Sequence, residues 1–199
     1  MQLLIATHNP AKLRRYQAIL ASFSALAVLA PGDLGMNLAV EESGATAAEN
    51  ARRKAAAYAA ASGLPSLGID EALYIPALPP EEQPGVFVRR EGGRAQTDEE
   101  LLAVYLQKAR RLSTEQRAVQ WIYAICLALP DGRTFAAQSG WSGWLSDQPC
   151  LPYPPGYPLS AVLLDGQTHK PVNRLSEEET RLREAPLARA VGDLVSRLL

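Results

Sequence analysis

The sequence predicts an α/β protein with a mixed β-sheet flanked by helices. Two observations carry this. Short apolar runs bounded by turn formers alternate with segments of helical period as far as about residue 112. Beyond that, two long strand-like runs are joined by "PDG", Pro130 to Gly132, an antiparallel hairpin that rules out a purely parallel sheet.

The elements follow in order. Leu3 to Ala6 is an apolar run between polar residues and reads as an interior strand. Asn9 suits the cap of the next helix and Pro10 its first turn, where a missing N–H costs nothing. Leu13, Tyr16, Ile19 and Leu20 recur at helical spacing. Ala25 to Leu29 reads as a short strand, and Leu38 to Glu41 as another that ends in acid. Thr46 and Glu49 have capping-box spacing ahead of an alanine-rich helix that runs to Ser62 and stops at Gly63. Leu67 to Ile75 is the next strand, interrupted by Asp70 and Glu71. A proline-rich loop, "PALPPEEQPG", precedes a second capping box, Thr97 and Glu100, which opens a helix to about Leu112. Val119 to Leu129 and Arg133 to Leu145 are the hairpin strands. "QPCLPYPPGYP" holds five prolines in eleven residues and excludes regular structure. Ser176 and Glu179 repeat the capping spacing, and Pro186 to Leu199 reads as a terminal helix.

Composition narrows the function classes. The chain has 199 residues, 47% apolar and 21% charged, which fits one good-sized domain or one domain with a smaller lobe. A net charge of −1 argues against a nucleic-acid or anionic-membrane partner. No apolar stretch approaches the ~18 residues of a membrane span, and no signal peptide is visible, so a cytoplasmic protein is expected. Cys126 and Cys150 make neither a disulfide framework nor a zinc motif, and His8 and His169 add too little to change that. "GWSG" at Gly140 to Gly143 lacks nucleophile-elbow spacing, and no Walker A loop is present.

The chemistry concentrates in two places. "ATHNPAK" gathers hydroxyl, amide and ammonium groups at a helix N-terminus, where exposed N–H groups and the helix dipole favour an anion such as phosphate. A capped helix with a surface lysine explains the same residues. Glu41, Glu42, Asp70 and Glu71 supply carboxylates at strand ends, the donor type that Mg²⁺ prefers beside phosphate. Solvated strand-end acids are the alternative.

Together, "IATHNPAK", "EESGATAAENARRKA", "LPSLGID" and "PGVFVRR" resemble the inosine-triphosphate pyrophosphatase family, whose members hydrolyse deaminated purine triphosphates to the monophosphate and pyrophosphate with Mg²⁺. The resemblance implies a single domain spanning 1–199, an elongated mixed α/β fold of two lobes around a nucleotide cleft, usually as a homodimer. It puts Thr7, His8, Asn9 and Lys12 in the triphosphate cradle. Glu41 matches a metal-binding glutamate, Asp70 the aspartate that binds metal and acts as general base, and Arg90 an arginine after the Pro-Gly turn. Glu71 stands where the family has a substrate-contacting serine, because the family's Asp-Asp-Ser-Gly reads Ile69-Asp70-Glu71-Ala72 here.

Further departures lie downstream. The Phe-Gly-Tyr-Asp-Pro segment of the base pocket aligns with Tyr157 to Ala161, Glu-Glu-Lys with Glu178 to Thr180, and Ser-His-Arg-Gly with part of "REAPLAR", Arg183 to Arg189. The resemblance therefore implies a Mg²⁺-dependent nucleoside triphosphate pyrophosphatase of altered specificity. A catalytically impaired nucleotide-binding or protein-interaction module is the alternative, as is a cleft refitted around Tyr153 and Tyr157.

Overall fold

The computed structural model describes residues 1–91 and 93–199. Six strands form one mixed sheet in the order β2-β1-β3-β4-β5-β6. They are β1 (Gln2–Ala6), β2 (Ala27–Leu29), β3 (Ser66–Tyr74), β4 (Ala118–Ala128), β5 (Thr134–Leu145) and β6 (Leu163–Asp165). The helices are α1 (Pro10–Leu20), α2 (Ala47–Ser62), α3 (Asp98–Arg111) and α4 (Glu177–Val195). β1 pairs in parallel with both β2 and β3, whereas β5 and β6 are antiparallel, so the sheet is mixed.

The chain divides into two compact units. The first comprises Met1–Glu71, Tyr123–Ser139 and Ala185–Leu199. Its β1 is buried from Leu3 to Ala6 because it pairs on both edges, and Leu4 and Ala6 pack with Tyr58 of α2 against Leu29, Met36, Leu38 and Val40. Tyr16 and Leu20 of α1 are buried one turn apart, the face expected from their spacing. On α2, Ala47, Ala51, Ala55 and Ala59 form a small-residue stripe that lets the helix lie close on β3. At Gly68 a Cβ would run into the Ala51 carbonyl and the Ala55 amide, so only glycine fits that contact.

The second unit comprises Ala72–Ile122 and Gly140–Glu184. Its core is built from Leu73 and Ile75, Leu101, Tyr105 and Ala109 of α3, Val119, Leu145, Leu159, Val162 and Leu163. The Thr97 box closes in both directions: the Thr97 side chain accepts from the Glu100 amide at 3.2 Å and the Glu100 carboxylate from the Thr97 amide at 2.9 Å.

Three readings of the sequence change. Leu38 to Glu41 is irregular rather than a strand; its Leu38 carbonyl is taken by the Tyr58 hydroxyl at 3.0 Å instead of a ladder partner. The carboxylate of Glu49 reaches the amide of Ala45, not that of the cap residue Thr46. The last helix begins at Glu177, where Ser176 and Glu179 cap each other, and continues through Pro186. That proline forfeits the bond to the Leu182 carbonyl, one turn back on a helix whose Leu182 side chain is exposed. Strand β6 had no signature in the sequence, being only three residues long.

Candidate active site

The register between β1 and β3 fixes the geometry. Ala6 pairs with Gly68, so Thr7 to Asn9 leave β1 at the same sheet end at which Ile69 to Glu71 continue along β3. In α/β sheets the carboxyl ends of adjacent parallel strands are where binding groups gather. Both segments belong to the first unit.

The loop between β1 and α1 is held by its own side chains. Asn9 Oδ1 accepts from the amides of Ala11, at 2.9 Å, and Lys12, at 3.1 Å, capping α1 as its sequence position suggests. This orientation leaves the Asn9 amide nitrogen as the donor for an incoming oxygen. Thr7 Oγ1 accepts from the Asn9 amide at 3.2 Å and keeps its own O–H to donate. His8 Nε2 lies 2.8 Å from the Tyr58 hydroxyl, which donates to the Leu38 carbonyl. The imidazole tautomer decides which of the two donates in the His8–Tyr58 contact. Burial pushes the Tyr58 phenol up from its ordinary pKa.

Asp70 and Glu71 point to opposite faces of β3, as alternation along a strand demands. Asp70 shares the Gly68 face and is 5% exposed. Its Oδ2 accepts from Asn50 Nδ2 at 3.0 Å, and its Oδ1 lies 3.2 Å from Lys54 Nζ. Lys54 also holds Glu42 at 2.7 Å, so two carboxylates converge on one ammonium. Glu41 is exposed; it is its neighbour Glu42 that shares Lys54 with Asp70. Glu71 instead meets α1: its Oε1 lies 3.6 Å from Lys12 Nζ and 3.3 Å from Arg15 Nη1, and the Arg15 guanidinium sits 5.4 Å from the Tyr123 ring centroid.

Among the described residues no group of three or more His, Cys, Asp or Glu side chains is arranged as a metal cage. The donor chemistry nonetheless fits a Mg²⁺ site of the open kind, in which one or two carboxylates hold the ion and phosphate and water complete its shell. Asp70, with Glu42 and Glu41 on one segment, is such a set.

In the second unit, Arg90 follows the Pro84-Gly85 turn and its guanidinium lies 6.0 Å from the Phe87 ring centroid. Arg89 binds Asp98 at 2.9 Å and the Gly156 carbonyl at 2.5 Å, while Asp98 accepts from the Gly156 amide at 2.7 Å, which fastens the proline-rich loop to α3. Tyr153 and Tyr157 of that loop are half-buried.

Sequence reasoning missed Lys54, Asn50 and Arg15. A signal existed for each. Lys54 and Asn50 stand one turn apart on the buried alanine face of α2, and Arg15 lies one turn beyond Lys12 on α1.

These features define an α/β protein in which the Thr7–Lys12 loop and the carboxylate-bearing strand β3 lie side by side. A model described as the Ham1 family matches residues 3–181. The dITP/XTP pyrophosphatase of Thermus thermophilus is 38% identical over 149 residues, 75% of this chain and 70% of that protein. The dITP/XTP pyrophosphatase of Streptomyces coelicolor is 32% identical over 201 residues, covering 100% of this chain and 98% of the relative. The HAM1 protein of Coxiella burnetii shares the fold with a TM-score of 0.82 over 99% of both chains, at 22% identity. The chain belongs to the Ham1 family, and the resemblance found in its motifs and its α/β class both stand.

Proposed function

We propose that this protein hydrolyses a non-standard purine nucleoside triphosphate, of the dITP or XTP class, to the monophosphate and pyrophosphate. The observation that carries the reading is the β1–β3 register, which brings the Thr7–Lys12 loop and Asp70 to one sheet end. The dITP/XTP pyrophosphatases among its relatives supply the reaction class.

The roles follow from the groups available. Thr7, Asn9, Lys12 and the first amides of α1 bind the phosphate chain, and Lys12 offsets the charge that develops on departing pyrophosphate. His8 keeps the loop on Tyr58. Asp70, held in place by Asn50 and balanced by Lys54, takes the proton of the attacking water. Asp70 and Glu41, with Glu42 beside them, are the groups that would hold Mg²⁺, which neutralises phosphate charge when bound. By the family resemblance alone, Arg90 is a further substrate-binding residue. The departures at Tyr157 to Ala161, Glu178 to Thr180 and Arg183 to Arg189 support an altered base preference. By the family resemblance we further propose one functional domain spanning 1–199, acting as a cytoplasmic homodimer.

The contact of Glu71 with Lys12 supports a second reading, a family member that binds nucleotide without turnover. Pyrophosphate release from ITP, XTP, dITP, dUTP and the four common dNTPs, with Mg²⁺ and with Mn²⁺, separates the two. Turnover that falls by about 10²–10⁴ in Asp70→Asn supports hydrolysis. Equal turnover in that variant overturns the role of Asp70, and nucleotide binding with no turnover at all favours the second reading.

A further inference from the structure

We infer that Glu71 is an internal anion that occupies the phosphate-binding cations of this protein until a phosphate chain displaces it. The inference rests on the cradle assigned to Thr7–Lys12 above, but not on turnover. Three charged side chains meet on the α1 face of β3: Lys12 and Arg15, 18% and 15% exposed, and Glu71, 8% exposed. One carboxylate faces two cations, so the cluster carries a formal charge of +1. On the opposite face Asp70 and Glu42 share the ammonium of Lys54. The basic cluster thus holds an anion and retains attraction for another.

The contacts are those of a replaceable ligand. Glu71 meets Arg15 Nη1 at 3.3 Å, and Lys12 lies at 3.6 Å, an ion pair beyond hydrogen-bond length. A phosphate oxygen offers the same charge with more acceptors. Arg15 therefore joins the cradle as a second phosphate-binding cation, positioned over Tyr123. Glu71 sets the affinity threshold: a ligand must bring enough phosphate charge to outcompete an anion already in place, which favours tri- and polyphosphates over monophosphates.

Calorimetric titration with inorganic tripolyphosphate, in chelator and at low salt, tests this in the full chain, in Glu71→Gln, in Glu71→Ser and in Glu71→Gln combined with Lys12→Ala. Both single variants are expected to bind about tenfold tighter, the discrimination against inorganic phosphate to shrink, and the gain to vanish in the double variant. Unchanged or weaker binding in both single variants overturns the inference, as does a gain that survives Lys12→Ala. The unsubstituted chain gives an independent reading should the variants fail to fold: the Arg15 Nε–H resonance must shift when tripolyphosphate is added, and no shift overturns the proposal. A chain that hydrolyses no nucleotide but tightens on Glu71→Gln refutes the proposed reaction and leaves this inference standing. Turnover without tightening does the reverse.

Discussion

Lys54 Nζ lies 3.2 Å from Asp70 Oδ1 and 2.7 Å from Glu42 Oε1, an ammonium shared by two carboxylates on the α2 face of β3. Asp70 is nearly out of solvent, so little water is available to replace that partner. Removing one member of a buried ion pair leaves an uncompensated charge and costs about 3–5 kcal/mol. Lys54→Ala is expected at the low end, because Asn50 still donates to Asp70. Urea denaturation at neutral pH reads the loss. Addition of Mg²⁺ should restore part of it, since a bound cation replaces the missing charge; no restoration would count against metal binding by Asp70.

Gly68→Ala tests how Asp70 is positioned. The added methyl meets the Ala51 carbonyl and the Ala55 amide, so α2 must retreat from β3. Lys54 lies between those two residues on the helix and retreats with them. Overpacking of this kind costs about 1–3 kcal/mol. The expected outcome is a lower melting temperature together with a larger fractional loss of turnover than in a destabilised variant remote from β3. A variant that melts earlier but turns over normally would mean that the Lys54–Asp70 contact is dispensable.

Much of this was legible because the signals are local. Asn9 and Pro10 announce the start of α1, and Thr97 and Glu100 that of α3, through hydrogen bonds that span three residues. Asp70 stood out because a charge interrupting an apolar strand needs a partner. The partners themselves were not legible, since Lys54, Asn50 and Arg15 act across the sheet and look like ordinary helix residues in one dimension. Leu38 to Glu41 misled for the same reason. Strand character depends on an available neighbour, and here the backbone of Leu38 bonds a tyrosine side chain. Pro186 marked a helix start by its preference for first turns, whereas the Ser176–Glu179 box ten residues upstream prevailed.

The two thiols should separate cleanly. Cys126 is buried on β4, and burial pushes its thiol up from the ordinary value, so the reactive thiolate is scarce at neutral pH. Cys150 is partly exposed in the proline-rich loop. A disulfide-exchange reagent is expected to titrate one thiol per chain in buffer and two in denaturant. Cys150→Ser should abolish the fast native reaction. Two fast thiols in buffer would show that β4 opens readily.

The cap of α3 carries a pH dependence whose sign is fixed. The side-chain bond from Arg94, and then the Thr97 amide, lower the Glu100 carboxyl to about 2. In the unfolded chain a glutamate titrates near about 4.3. A carboxyl whose folded pKa is depressed stabilises the fold above the unfolded value, and the contribution disappears as pH falls through about 2. The pair lies at the surface, so the effect is small and screened by salt. Urea midpoints of the native chain and Glu100→Gln are expected to differ at pH 7, to converge between pH 4 and about 2, and to lie closer at every pH in 1 M NaCl. A difference that persists unchanged below pH 2 would assign the cap's contribution to packing rather than to the charge on Glu100.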